Sequence, residues 1–356
     1  MDDMSDVGAL SRRRVLGSGA LFGLGAVMSG CATPTRETAP VAGAQPADPS
    51  ALRVYGNLST LELAPVLLAA MRYEPGKIVV MQGGILSLYA KDGDLPNLKA
   101  QGQSHLATNS ETQGLRYSIE NPDLRIIFTV SEGVYRIVAR RSAGITKLSD
   151  LRGKRIGTMP KTSSEYYLDR MLQSVGVASK EVTIDPYVSG TSKPLAAMQT
   201  ALMQGRLDAV TIWEPEMQRC KDALGADAIE FFDAGSYREQ FSLYTTKANL
   251  ADPVLRAKIV AFVRLLMVES ERIRRDPREA WPLVAGAAKL DAASVERSWP
   301  HHTYPGTLLG NLLDVLVEEE PWVAQETGRR SRSRAELATL IDASVLEDAL
   351  RSGAAR

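Results

Sequence analysis

Residues 153–168 read Gly-Lys-Arg-Ile-Gly-Thr-Met-Pro-Lys-Thr-Ser-Ser-Glu-Tyr-Tyr-Leu, and the order of polarity along them sets the expected fold. Lys154 to Thr158 predicts a short buried strand, and Met159 to Lys161 a brief loop. Thr162 predicts a helix start, because Leu168, Met171, Leu172 and Val175 recur at helical spacing. A strand, a hydroxyl-bearing loop and a helix N-terminus leave backbone N–H groups free at the carboxyl end of a sheet, where open α/β sheets hold small anions. Thr162 and Glu165 also fit a capping box, with Thr162 as N-cap and Glu165 at N3. The box accounts for those two residues but leaves the hydroxyls of Ser163 and Ser164 unassigned, so both are candidates for ligand contact.

The same grammar repeats upstream. Leu52 to Tyr55 predicts a strand, Asn57, Ser59 and Thr60 a polar turn, and Leu61 to Tyr73 a helix. Ile78 to Met81 is a second strand, opening into Gly83-Gly84. Leu106 to Thr108 is a third, followed by Asn109-Ser110-Glu111-Thr112 at another helix start. Strand, polar turn and helix in rotation predict a mainly parallel sheet with helices on both faces. The polar turns converge at one sheet edge. Ordinary capping explains any one of them; their joint placement is what suggests a site.

Leu124 to Val130 and Tyr135 to Ala139 are apolar and β-branched, hence central strands, with Ser131-Glu132-Gly133 as a turn between them. A second strand–helix series then runs through Val182 to Ile184, Pro194 to Gln204 and Leu207 to Ile212, where Trp213-Glu214-Pro215-Glu216 follows a strand end. The chain returns through Phe241 to Thr245. Two crossings, near 139–143 and 236–243, predict two lobes, a hinge and a cleft. The expected division is 51–140 with 240–356 as lobe 1 and 141–239 as lobe 2. Val254 to Ile273, Pro277 to Leu290 and Leu337 to Leu350 are amphipathic helices, the last packed on the first lobe, and Arg329 to Arg334 is a solvated basic loop. His301 and His302 lie in a loop without a third ligand, so no metal site is expected. His105 is isolated and Cys220 is expected to be buried.

At 356 residues, 44% hydrophobic and 24% charged, the chain is globular with room for two domains. Zero formal net charge argues against nucleic acid as a partner, and two cysteines against a disulfide framework. Ser11-Arg12-Arg13-Arg14-Val15-Leu16 resembles a twin-arginine export signal. The apolar run Ala20 to Met28 is too short and Gly-rich for a transmembrane helix. Met28-Ser29-Gly30-Cys31 is similar to the lipobox of bacterial lipoproteins, which implies lipid on Cys31, with plain signal cleavage as the alternative. Residues 32–50 read as a disordered tether with a reach on the order of 25 Å.

Leu151 to Gly157, Thr162 to Tyr166, Met198 to Val210 and Trp213-Glu214-Pro215 together resemble the substrate-binding proteins of nitrate/sulfonate/taurine-type ABC transporters. These are relatives of the thiamine-pyrimidine binding proteins. The resemblance covers about residues 52–350 and implies the two-lobed α/β fold of the type 2 periplasmic binding proteins. It implies ligand contacts at Asn57, Ser59, Asn109, Glu111, Thr162, Ser163, Ser164 and Trp213. It also implies an ABC permease and its ATPase as partners, and a periplasmic monomer anchored by lipid on Cys31. Glu132 and Glu214 join the candidates because their turns fall near the same sheet edges, although salt bridges to Arg140, Arg141 or Arg155 would remove all three glutamates, Glu111 included, from the ligand.

No Gly-x-Ser-x-Gly, Walker motif or Cys–His cluster is present, and the pyrimidine-forming enzymes of this fold depend on a cysteine-rich segment absent here. The expectation is therefore a non-enzymatic solute receptor, without cofactor or metal, for a small organic anion or zwitterion. A sensory receptor docking on a membrane kinase is the alternative, with an enzyme behind it.

Overall fold

The computed structural model describes residues 48, 50–73, 76–90, 103–185 and 194–353. The export signal, Cys31 and nearly all of the 32–50 tether lie outside them. Among the described residues no helix is long and apolar enough to cross a membrane.

Two sheets organise the chain. The first has the order β11-β4-β10-β3-β1-β2, from β1 (Leu52–Gly56), β2 (Ile78–Gln82), β3 (Leu106–Asn109), β4 (Leu124–Gly133), β10 (Glu239–Thr246) and β11 (His302–Thr303). The second has the order β7-β6-β8-β5-β9, from β5 (Arg136–Arg140), β6 (Arg155–Gly157), β7 (Thr183–Asp185), β8 (Ala209–Ile212) and β9 (Ala228–Phe231). Each is built on a parallel trio, β2-β1-β3 and β7-β6-β8, as the repeated strand–turn–helix grammar predicts. Antiparallel pairing enters with the strands that arrive from the other lobe. β10 runs against β3 and β4, and β5 runs against β8 and β9.

The first crossing sits earlier than the sequence suggests. Ser131 to Gly133 is not a turn but the end of β4, paired with Glu239 to Phe241, and β5 already belongs to the second sheet. Only Val134 and Tyr135 separate the two strands. No turn signal marks the switch, because a chain passing straight between sheets needs no reversal. The second crossing runs through residues 232–238 into β10.

Packing follows the apolar stripes. The helix Pro253–Arg275 begins on Asp252, whose carboxylate accepts from the N–H groups of Val254 and Leu255. It buries Ile259, Phe262, Val263 and Leu266 against Val54, Leu106, Ile127 and Phe128 of the first sheet. Each such side chain contributes about 1.5–3 kcal/mol by leaving water. The predicted last helix is two pieces, Arg334–Ala338 and Ser344–Gly353, and the second puts Val345 and Ala349 into this core. In the other lobe, Tyr167, Leu168, Met171 and Leu172 of the helix Ser163–Ser174 pack on Ile137, Ile156 and Ala209.

Two surface readings change. The basic run is solvated only in part: Arg330, Ser331, Ser333 and Arg334 are exposed, whereas Arg329 and Arg332 both pair with the buried Glu320, and Arg332 donates to the Leu115 carbonyl and the Ser118 hydroxyl. His302–Thr303 is not loop but a short strand against Glu132 and Gly133.

Candidate functional site

β1 ends at Gly56, where the site's first turn must pass close to its neighbours. A Cβ there would collide with the Thr108 hydroxyl and the Leu63 side chain. The turns after β1, β2 and β3 thereby meet, as expected, on one side of a cavity of about 220 Å³. Asn57, Thr60, Glu62, Gly83, Asn109 and Gln113 line it from the first lobe. Thr162, Ser163 and Trp213 line it from the second, and Tyr135, Glu239 and Phe241 from the crossing strands and their junctions.

The opening stretch of the sequence folds as a cap with a variation. Thr162 Oγ1 accepts from the Ser164 N–H at 3.3 Å and donates to the Met159 carbonyl at 2.7 Å. Glu165 does not return to Thr162. Its carboxylate takes the N–H of Lys161 at 2.5 Å, one residue earlier, because Lys161 adopts a left-handed backbone, φ 63°. From the other lobe, Gln113 Nε2 donates to the Lys161 carbonyl at 2.7 Å. Ser163 Oγ donates to Glu239 Oε1 at 2.9 Å, and Tyr135 Oη donates to the same oxygen at 3.1 Å. Trp322 Nε1 donates to Asp169 at 2.7 Å, and rings of Tyr135, Tyr166, Tyr167, Tyr237 and Trp322 pack between the lobes at 5.2–6.4 Å. The lobes therefore touch along the whole hinge side of the cleft.

The ten residues chosen from sequence divide into two groups. Asn57, Asn109, Thr162, Ser163 and Trp213 line the cavity. The other five do not. Ser59 is exposed, and its N–H donates to Asn57 Oδ1 at 3.2 Å. Ser164 is buried behind the cap, bonded to Thr158 and Thr162 hydroxyls at 3.0 and 2.9 Å. Glu132 accepts from Thr303 Oγ1 at 3.0 Å. Glu214 is ion-paired, but with Arg136 rather than Arg140, Arg141 or Arg155; Arg136 Nε meets it at 2.9 Å, and its own Oε2 accepts from the Gln218 N–H at 3.1 Å. Glu111 is wholly buried behind the cleft, where it accepts from Tyr237 Oη at 2.7 Å and from the Gln240 N–H at 2.9 Å. A helix N-terminus aims carboxylates inward as readily as outward, so position in sequence alone could not separate these cases.

The residues missed are the ones carrying charge into the cavity. Glu62 and Glu239 are each 3% exposed, and Glu62 Oε2, Glu239 Oε2 and Trp213 Nε1 have no hydrogen-bond partner among the described residues. Burial, then the neighbouring Glu62 and Glu111 charges, hold the Glu239 carboxyl well above its ordinary 4.5. The signal was present: Glu62 stands alone between Leu61 and Leu63 in an apolar run, and Glu239-Gln240 opens a strand otherwise rich in apolar residues. Lys and Arg are absent from the described lining. His302 Nε2 approaches Glu62 Oε1 at 3.4 Å, yet no group of three or more His, Cys, Asp or Glu that could hold a metal occurs among the described residues. Cys220 lies outside the cavity lining, its thiol pushed up to about 12 by burial.

Comparison with known proteins places this geometry. The crystal structure of the periplasmic aliphatic sulphonate binding protein SsuA from Escherichia coli superposes with a TM-score of 0.64 at 16% identity, over 83% of this chain and 92% of that one. The alkanesulfonate-binding protein SsuA from Xanthomonas axonopodis pv. citri, bound to MOPS, gives 0.60 at 18%, over 83% and 99%. The desulfurization enzyme DSZB gives 0.58 at 14%, over 85% and 99%. At these identities the likeness is one of fold, and a binding protein and an enzyme share it. In sequence, the chain is 26% identical over 192 residues to the "Putative thiamine biosynthesis protein" of Haemophilus influenzae, an alignment spanning 52% of this chain and 57% of that protein. The family model NMT1/THI5 like matches residues 86–280. The fold is that of the periplasmic binding proteins, and the chain belongs to the NMT1/THI5 like family.

Proposed function

We propose that this chain is an extracytoplasmic solute-binding protein of an ABC importer. It captures a small organic zwitterion in the interlobe cavity and delivers it to a membrane permease. The observation that carries this reading is the cavity itself: one polar chamber closed by residues from both lobes and both crossings. Ligand held by both lobes stabilises their closed arrangement by its differential affinity. The helix N-terminus at Thr162–Ser163 and the amides of Asn57, Asn109 and Gln113 supply neutral donors to an anionic end. The two buried carboxylates and the lack of a basic residue in the lining favour the zwitterion over a bare anion among the ligands expected from sequence. The sulfonate ligands named for the SsuA proteins are consistent with the anionic half. Against an enzyme stands the absence of a cysteine, and of a histidine to act as base, in the described lining.

The test is native mass spectrometry of protein purified from its own host, which identifies the retained small molecule. Asn109→Ala should then weaken that molecule's binding about tenfold, as for one lost hydrogen bond to a charged group, with little change in melting temperature. Unchanged affinity in Asn109→Ala would count against the cavity as the binding site.

The Arg12–Arg14 stretch and Cys31 support an exported, lipid-anchored location. Two or more acyl chains suffice for stable attachment. Cys31→Ser should move the protein from the membrane to the soluble periplasmic fraction, read by fractionation and immunoblot. A variant that stays with membranes removes the anchor from this reading.

A further inference from the structure

Glu62 and Glu239 raise a question that capture of an anion does not answer. Each is buried, each faces the cavity, and each presents one oxygen that nothing in the described structure satisfies. Buried acceptors without donors are costly, and proteins keep them where a ligand supplies the donor. Their other oxygens are committed: Glu239 Oε1 to Ser163 and Tyr135, Glu62 Oε1 to His302 at 3.4 Å. The two free oxygens are therefore oriented by their partners before any ligand arrives. Gly133 lies beside Glu239 and His302; a Cβ there would stand 3.4 Å from Glu239 Oε2 and 3.7 Å from His302 Nε2.

We propose that Glu62 and Glu239 form a subsite for a positively charged, N–H-bearing group of the ligand, a primary ammonium or an amidinium. The inference rests on the cleft being a solute site and names the half of the ligand that this wall selects. Two acceptor oxygens ask for at least two N–H donors on one cationic centre, which a quaternary ammonium lacks. The charged and titratable groups packed around Glu239 are Glu62, Glu111, Tyr135 and His302, with Glu319, Tyr237 and Tyr244 behind them. None of the acids is paired to a basic residue within the cavity. Without ligand, burial and these neighbours favour the protonated form of Glu239 over its anion. A cation entering the subsite displaces that proton to water, so affinity for the cation rises with pH until Glu239 ionises unaided.

The experiment uses the mature chain and five probes: butylamine, benzamidine, tetramethylammonium, propanesulfonate and taurine, followed by saturation-transfer NMR and by calorimetry in buffers of different ionisation enthalpy. Butylamine, benzamidine and taurine should bind, with proton release. Glu62→Gln and Glu239→Gln should each weaken them about tenfold or more, while propanesulfonate, which the lost acid no longer repels, binds at least as tightly. Circular dichroism melts confirm that both variants are folded. Tetramethylammonium binding as well as butylamine, or amine binding untouched by either variant, overturns the subsite. Propanesulfonate binding that Asn109→Ala weakens, with no amine or amidine binding, overturns the subsite and leaves the solute-binding reading standing. Silence from all five probes overturns the subsite, while the solute-binding reading is then decided by the molecule retained from the host.

Discussion

Arg136 shows what a single buried side chain does in this protein. Its guanidinium is fully buried, donates to Glu214 and Glu230 at 2.9 and 2.7 Å, and reaches Gln218 at 3.3 Å. Glu230 also has Lys221 at 2.9 Å, but among the described residues Glu214 pairs with no other cation. Arg136→Met should therefore destabilise the protein by about 3–5 kcal/mol, because it leaves Glu214 buried and unpaired. Adding Glu214→Gln should recover much of the loss, and urea denaturation of the single and double variants measures both. Equal stability of the two would show that Arg136 acts through packing alone. The same residue explains the limit of reading the site from sequence. The choice at Glu214 was between ligand and salt bridge, and the partner lay 78 positions away on a strand assigned to the other lobe. Asn57, Asn109 and Ser163 were legible because strand-end turns in parallel sheets converge by topology. Glu62 and Glu239 were not, since their exposure to the cavity depends on which way a helix start and a strand end face.

At the scale of elements, the strand–turn–helix repeats gave the parallel trios, and periodicity gave the long helix Pro253–Arg275 within two residues at each end. The crossing at Val134–Tyr135 was hidden because the polar end of β4, Ser131-Glu132-Gly133, reads in sequence as a turn between two strands of one lobe. Helix packing also creates a pH response. Glu319, on the helix Leu312–Glu326, lies close to Glu111 of the helix Glu111–Tyr117, and accepts from Thr112 Oγ1 at 2.9 Å. Burial first, then the Glu111 charge, holds the Glu319 carboxyl well above its ordinary 4.5. A carboxyl raised on folding contributes stability that is present below the unfolded value and lost as pH rises from there toward the folded value. Stability should thus decline above about pH 4.5, the ordinary value of this carboxyl. Glu319→Gln should flatten that decline, raising stability at about pH 8 by about 1 kcal/mol or more, since a neutral amide needs no proton there. Melting temperatures of both proteins across pH check this; parallel curves would contradict it.

For the whole molecule, named side chains bridge the lobes, among them the ion pairs Arg170–Glu318 and Arg297–Asp222. Gln113 to the Lys161 carbonyl, Ser163 to Glu239, and Trp322 to Asp169 join lobe to lobe or lobe to crossing. Gln113→Ala removes one of these contacts, made by a side chain of the cavity lining, and leaves the hydrophobic core intact. Its ligand-free form should show a larger radius of gyration by small-angle scattering, returning to the wild-type value when the host-derived ligand is added. No expansion would mean that this bond does not restrain the lobes.

The junction between β4 and β5 is two residues long, and one of those residues, Tyr135, is also part of the cavity wall. A fulcrum this short has no slack: at this crossing, any turn of one lobe against the other is taken up by the torsions of Val134 and Tyr135. The lever arm of that turn carries the Tyr135 ring, so the shape of the chamber and the angle between the lobes are geared together. A ligand too large for the chamber would hold the jaws apart by the same pivot, and its size would be read out as an angle between the lobes.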